Sequence, residues 1–147
     1  MKQKITTFLT YNDRAEEAAK FYVSAFKNSR ITNTMRAGDR VISLQLEIEG
    51  QEFIALNGGP SFSFAQGISL FVSCDTQPEI DALYEKLSAG GEQQPCGWLR
   101  DKFGVSWQVV PPILGELLGD KDPEKAQRVL QAMLKMKKIE IAALQSA

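Results

Sequence analysis

Two thiols, Cys74 and Cys96, and the charged run Arg100-Asp101-Lys102 are the first places to look for covalent or acid–base chemistry in this sequence. Arg100 is close to Cys96 along the chain, but a reactive cysteine usually needs an activating base, and the chain has no histidine. The same absence removes the usual general base, the Ser-His nucleophile and the commonest metal ligand. Cys96 therefore reads as a structural cysteine, and Arg100-Asp101-Lys102 as an ion-paired turn instead of a catalytic dyad. Glu16 and Glu17 are neighbouring carboxylates, but at a helix start they complement the dipole and do not form a catalytic pair. Arg36, Asp39 and Arg40 surround Gly38 as in a solvated hairpin, with Arg36 a candidate partner for an anionic ligand.

Composition narrows the class further. The chain has 147 residues, 44% hydrophobic and 24% charged, with 17 basic against 18 acidic side chains. That length suits one domain or two small repeats sharing a core. The balanced charge lacks the basic footprint of a nucleic-acid binder. Met1 to Thr10 alternates apolar and polar residues with no signal-peptide pattern, and no apolar run approaches the roughly 20 residues needed to span a bilayer. A cytoplasmic protein without nucleic-acid or membrane partners is expected. Cys74 and Cys96 form no CxxC, so reduced thiols are expected.

The elements repeat. Residues 4–11 alternate as a strand, and Asp13 with Glu16 resembles an acidic capping box for a helix over about 14–26. Ala18, Tyr22, Ala25 and Phe26 mark its buried face. Alternating stretches follow at about 30–36, 41–48 and 52–57, closed by Gly58-Gly59-Pro60. The pattern restarts with a strand over 68–74 and a helix over about 77–88, for which Thr76 and Glu79 supply a capping box. Ile80, Leu83, Tyr84 and Leu87 mark its buried side, and Gly90-Gly91 ends it. Short strands at about 92–96, 98–102 and 105–110 run to Pro111-Pro112. The interval from Asp13 to Tyr22 equals that from Asp75 to Tyr84. Each half thus reads βαβββ: module one about 1–60 and module two about 67–112. Asp122-Pro123 then starts a helix expected over about 123–144, with an apolar stripe from Val129, Leu130, Met133, Met136 or Lys137, and Leu144.

Five runs carry a family resemblance: Asn12 to Tyr22 (NDRAEEAAKFY), Phe53 to Pro60 (FIALNGGP), Cys96 to Trp107 (CGWLRDKFGVSW), the following Gln108-Val109-Val110-Pro111, and Met133 to Ile141 (MLKMKKIEI). In order and spacing they resemble the PhnB-like branch of the glyoxalase/bleomycin-resistance (vicinal oxygen chelate) superfamily, which also carries the label 3-demethylubiquinone-9 3-methyltransferase. The resemblance implies an α+β fold in which two βαβββ modules form a curved mixed sheet around a cavity, followed here by the C-terminal helix. It also implies a homodimer. The methyltransferase label sits poorly with the glycines. A doubly wound S-adenosylmethionine enzyme needs a glycine-rich loop that opens a helix, and neither Gly58-Gly59 nor Gly90-Gly91 does so.

Metal-dependent relatives place His or Gln, Glu, His and Glu on the first, fourth, fifth and eighth strands. Here the eighth-strand position, four residues after Gly104, is Gln108. Ile54-Ala55-Leu56 stands where the fourth strand carries its acid, which places a methyl group at Ala55. The other two positions fall near Thr6 or Thr7 and near Ser69. Neutral oxygens and a methyl make a poor site for a divalent transition metal, so no metal and no cofactor are expected. Side chains alternate along a strand, which puts Ser106 beside Gln108 in the cavity and turns Trp107 and Val109 toward the helices. Phe53 and Asn57 join Ala55 on the cavity side, with Gln45 from the third strand and Trp98 at the rim. Thr7, Gln45, Phe53, Asn57, Ser69, Trp98, Ser106 and Gln108 are thus the candidate ligand-binding residues.

Such a lining suits a neutral, partly apolar small molecule held by hydrogen bonds. The reading that follows is a metal-free small-molecule-binding protein. The alternatives are a metal-dependent lyase, isomerase or dioxygenase, an enzyme using Asn57 and Gln108 as electrophilic donors, and an interaction protein working through its dimer and tail helix.

Overall fold

Each half of the sequence repeat becomes a helix laid on one face of its own four-stranded sheet. The computed structural model describes residues 3–147, and the chain divides into two units between Ser63 and Phe64. Unit one contains β1 (Thr7–Tyr11), α1 (Ala15–Ala25), β2 (Ser29–Ala37), β3 (Arg40–Ile48) and β4 (Gln51–Asn57). The strands run in the order β1-β4-β3-β2, with β1 parallel to β4 and the other pairs antiparallel.

Helix α1 buries Ala15, Ala18, Ala19 and Tyr22, the i, i+3, i+4, i+7 stripe that packs a helix on a core. The Tyr11 hydroxyl donates to that of Tyr22 at 3.0 Å within this core. The expected Asp13–Glu16 box does not form. The helix is capped by no side chain at its own Ncap residue, Arg14; the Ala15 N–H instead donates to Asn57 Oδ1 at 2.8 Å. Asn57 is brought there by sheet register, opposite Tyr11.

The same register sorts the sheet's faces. Leu9, Ala55 and Leu44 lie in one cross-strand row, and Thr7, Phe53 and Leu46 in another; both rows share the α1 side with Tyr11 and Asn57. The opposite side carries the rows Phe8–Ile54–Gln45–Asn33 and Thr10–Leu56–Ser43–Met35.

Unit two repeats the plan. It has β5 (Leu70–Ser73), α2 (Gln77–Ser88), β6 (Glu92–Gln93), a single 3-10 turn (Pro95–Gly97), β7 (Trp98–Arg100) and β8 (Ser106–Val110). The order is β5-β8-β7-β6, with β5 parallel to β8. Strand order and sense match unit one, so the internal repeat read from the sequence is a repeat of structure. Thr76 caps α2 as expected, accepting the Glu79 N–H, while Glu79 Oε1 accepts the Asp75 N–H at 3.1 Å. Leu99, Trp107 and Val109 are buried. The Trp107 indole N–H donates to Asp101 Oδ2 at 2.9 Å. Asp101 also accepts the Phe103 and Val105 N–H groups. Asp101 therefore organises its turn by hydrogen bonds, while Arg100 pairs with Glu92 at 3.8 Å.

The tail departs from the single helix expected over 123–144. It forms α3 (Pro112–Leu118), α4 (Pro123–Leu134) and α5 (Ile141–Gln145). Proline ends a strand but also suits the first turn of a helix, and Pro112 opens α3. Asp122 caps α4 through the Glu124 N–H at 3.0 Å. Helix α4 stops because the next carbonyls have distant partners: Met136 O and Lys137 O accept the Cys96 and Gly97 N–H groups at 2.8 and 2.7 Å. The Gln77 side chain then grips the tail. It donates to Ile139 O at 2.9 Å and accepts the Ile141 N–H at 2.8 Å. Val110, Leu114, Val129, Met136, Ile139 and Leu144 form a small core of their own. No helix among the described residues is long and apolar enough to cross a membrane.

Candidate functional site

In unit two, one cross-strand row on the side away from Trp107 joins Phe71, Gln108 and Trp98. Gln108 Nε2 donates to Ser69 Oγ at 3.0 Å, which fixes the orientation of the amide. Phe71 is 60% exposed; Ser69, Trp98 and Gln108 are half-buried. Three of the expected site residues are therefore brought together with an aromatic, Phe71, that sequence reasoning left out. Its position in an alternating run, two residues from Ser69, was the available signal. Ser106 lies on the same side by register, opposite Arg100, but is only 2% exposed. Its expected role as a ligand contact is corrected to that of a buried residue.

Unit one calls for a larger correction. Gln45 stands on the open side, exposed, in the row of Phe8 and Ile54. Thr7, Phe53 and Asn57 do not share that side. Thr7 is paired with Phe53 and shares its α1 face, and Phe53 is buried there. Both ends of the Asn57 amide are used internally: Oδ1 accepts the Ala15 N–H at 2.8 Å, and Nδ2 donates to Val41 O at 3.1 Å. Alternation grouped Phe53, Ala55 and Asn57 correctly but could not choose their side, because Ile54 and Leu56 in the other phase are also apolar.

The two units place equivalent rows in equivalent strands: Phe8–Ile54–Gln45 in β1, β4 and β3, and Phe71–Gln108–Trp98 in β5, β8 and β7. Ile54, not Ala55, thus occupies the place in β4 that Gln108 holds in β8. These rows offer amides, hydroxyls and hydrocarbon. The described residues contain no group of three or more His, Cys, Asp or Glu side chains placed to hold a metal ion. This donor set does not fit a divalent transition metal. It does fit hydrogen bonding to an organic molecule laid against aromatic surface.

The thiols serve structure. Burial, followed by the charges of Glu79 and Asp75, pushes the Cys74 thiol up to about 12. Cys96 adopts a left-handed φ of 64° inside the turn that holds the tail, and its Sγ lies 3.8 Å from Met133 O.

The family model for 3-demethylubiquinone-9 3-methyltransferase matches residues 3–110. The chain belongs to this family. A PhnB protein from Bacillus cereus, described with the same methyltransferase label, is 38% identical, with a TM-score of 0.68 over 74% of this chain and 99% of that one. A protein from Pseudomonas aeruginosa is 20% identical, with a TM-score of 0.64 over 75% and 98% of the two chains. The fosfomycin resistance protein FosX from Listeria monocytogenes, complexed with Mn(II) and sulfate, is 15% identical, with a TM-score of 0.55 over 74% and 91%. The last two share the fold. No curated protein matches the chain. This PhnB-like chain shares the α+β fold of a glyoxalase/bleomycin-resistance protein, and its Met133–Ile141 run lies beyond the residues that the family model matches.

Proposed function

We propose that this PhnB-like protein binds a small, partly apolar organic molecule without a metal, on the open side of β5, β8 and β7, as a cytoplasmic homodimer. The observation that carries the reading is the Gln108–Ser69 hydrogen bond at 3.0 Å, set in a row between Phe71 and Trp98. With its N–H committed to Ser69, the Gln108 amide offers its carbonyl oxygen as an oriented acceptor, and the Ser69 hydroxyl retains its own proton to donate. Ordered hydrogen-bonding groups beside aromatic surface are what a binding site requires, and binding alone needs no nucleophile. The dimer reading follows the family likeness; Phe8, Met35 and Phe71, which are 53%, 57% and 60% exposed, are apolar surface available for a partner to cover. The methyltransferase activity in the family's name is not carried over, because the two mixed four-stranded sheets are not the doubly wound parallel sheet that holds a nucleotide-like cofactor.

Native mass spectrometry of freshly purified protein, with no added metal or chelator, tests the proposal. A dimer carrying an organic adduct that the Gln108→Leu variant loses is the expected result. One metal ion per subunit would overturn the metal-free reading, and a monomer would overturn the dimer.

A further inference from the structure

A cleft of about 650 Å³ opens beside Trp98, lined also by Glu92, Gln93, Gln94, Pro95 and Lys137. Its charges are unequal in availability. The Glu92 carboxylate is engaged by Gln94 Nε2 at 2.6 Å and by Arg100 at 3.8 Å. Lys137 has no acidic partner among the described residues, and the Trp98 indole N–H has no acceptor among them. The backbone of Lys137 is nevertheless held in place, because Gly97, the residue before Trp98, donates its N–H to Lys137 O at 2.7 Å. Gly97 permits this close approach: a Cβ there would lie 2.9 Å from both Ile139 Cγ1 and Val109 O. Lys137 also lies beyond the residues matched by the family model, so the tail adds a cation to the edge of the shared fold.

We infer that this cleft selects a small aromatic carboxylate, with the ring against Trp98 and the negative group at Lys137. The inference rests on the binding reading of unit two and adds the ligand's charge to it. An indole face receives a flat apolar body, and the anchored backbone of Lys137 keeps the base of its exposed side chain at the cleft, within reach of an anion. Arg100, paired with Glu92 at 3.8 Å, offsets part of the negative charge that Glu92 brings to the cleft.

Benzoate and its neutral analogue benzamide are the probes, read through the indole N–H signals of a 15N-labelled protein. The chain has two tryptophans, and Trp107 is a buried reference bonded to Asp101. Benzoate is expected to shift the Trp98 signal, leave that of Trp107 in place and bind about five-fold more tightly than benzamide, the size of an exposed ion pair. Lys137→Gln should abolish that preference and Lys137→Arg should keep it. Equal binding of the two probes, or a preference that survives Lys137→Gln, overturns the anion selectivity while leaving the binding face intact. An unmoved Trp98 signal with both probes overturns the inference at this cleft, and the adduct measurement then judges the wider reading separately.

Discussion

Asn57, the last residue of β4, caps the helix that begins at Ala15, accepting its N–H at 2.8 Å. The same amide donates to Val41 O at 3.1 Å, so one side chain joins α1, β3 and β4. Asn57→Ala should lower stability by about 1–2 kcal/mol, as the loss of a helix cap does. Asn57→Asp keeps the acceptor for Ala15 and should lose less. Urea midpoints of the three proteins order the effects; an Asp variant as unstable as the Ala variant would remove the capping role.

The Trp107–Asp101 hydrogen bond makes a second demand on stability. Asp101 is 2% exposed, and losing a donor to a buried carboxylate costs about 1–3 kcal/mol. Trp107→Phe, which keeps most of the apolar bulk, should show a loss of that order. Trp107→Ala should cost about 3–5 kcal/mol because it also leaves a cavity. Thermal and urea unfolding check both, and a neutral Trp107→Phe would mean that the indole N–H contributes nothing.

These two residues show what was legible in the sequence. Trp107 and Val109 alternate with Ser106 and Gln108, a contrast of apolar against polar that assigns their sides correctly, and the repeated helix spacing gave both modules. Asn57 was misassigned because its partner at Ala15 is distant along the chain, while Asp13 and Glu16 offered a plausible local cap. The FIAL run is apolar in both phases, so it could not say which phase faces α1. In the tail, a helical stripe continued past Lys135, but the carbonyls of Met136 and Lys137 bond to Cys96 and Gly97 instead. Local periodicity does not report a competitor supplied from elsewhere in the chain.

The two thiols should react in a fixed order. Cys74 is fully buried and its thiol is pushed up to about 12, so it stays protonated at neutral and mildly alkaline pH. Cys96 is half-buried. Under native conditions a thiol reagent should modify Cys96 first, with Cys74 following only on unfolding. Peptide mapping after brief alkylation reads the order directly, and prior modification of Cys74 would contradict it.

The grip on the tail should have a pH window. Hydrogen bonds from Lys138 and then Gln77 hold the Asp81 carboxyl below its ordinary value of 3.8. The hydrogen bond to Asp81 in turn raises Lys138 above its ordinary 10.5. A lowered carboxyl contributes stability above its unfolded value, and that contribution is lost as pH falls through the folded one. A raised amine contributes below its unfolded value and loses its contribution as pH rises through the folded one. Tail docking should therefore be flat through neutral pH, then weaken in strong acid and again in strong alkali. The effect should be small, because both side chains are solvent-accessible. The Ile141 amide shift, bonded to the neighbouring Gln77, follows it; Lys138→Ala should reduce both transitions, and a transition centred near neutrality would contradict the assignment.

Gln77 also imposes an order on biosynthesis. Once Asn57 has left the ribosome, unit one possesses every strand of its sheet and the cap for its helix, and domains generally fold as their chain becomes available. Unit two must keep Gln77 waiting for Ile139 and Ile141, its partners at 2.9 and 2.8 Å. Until they emerge, the β8 end of unit two lacks the small core that Val110 shares with Val129, Ile139 and Leu144.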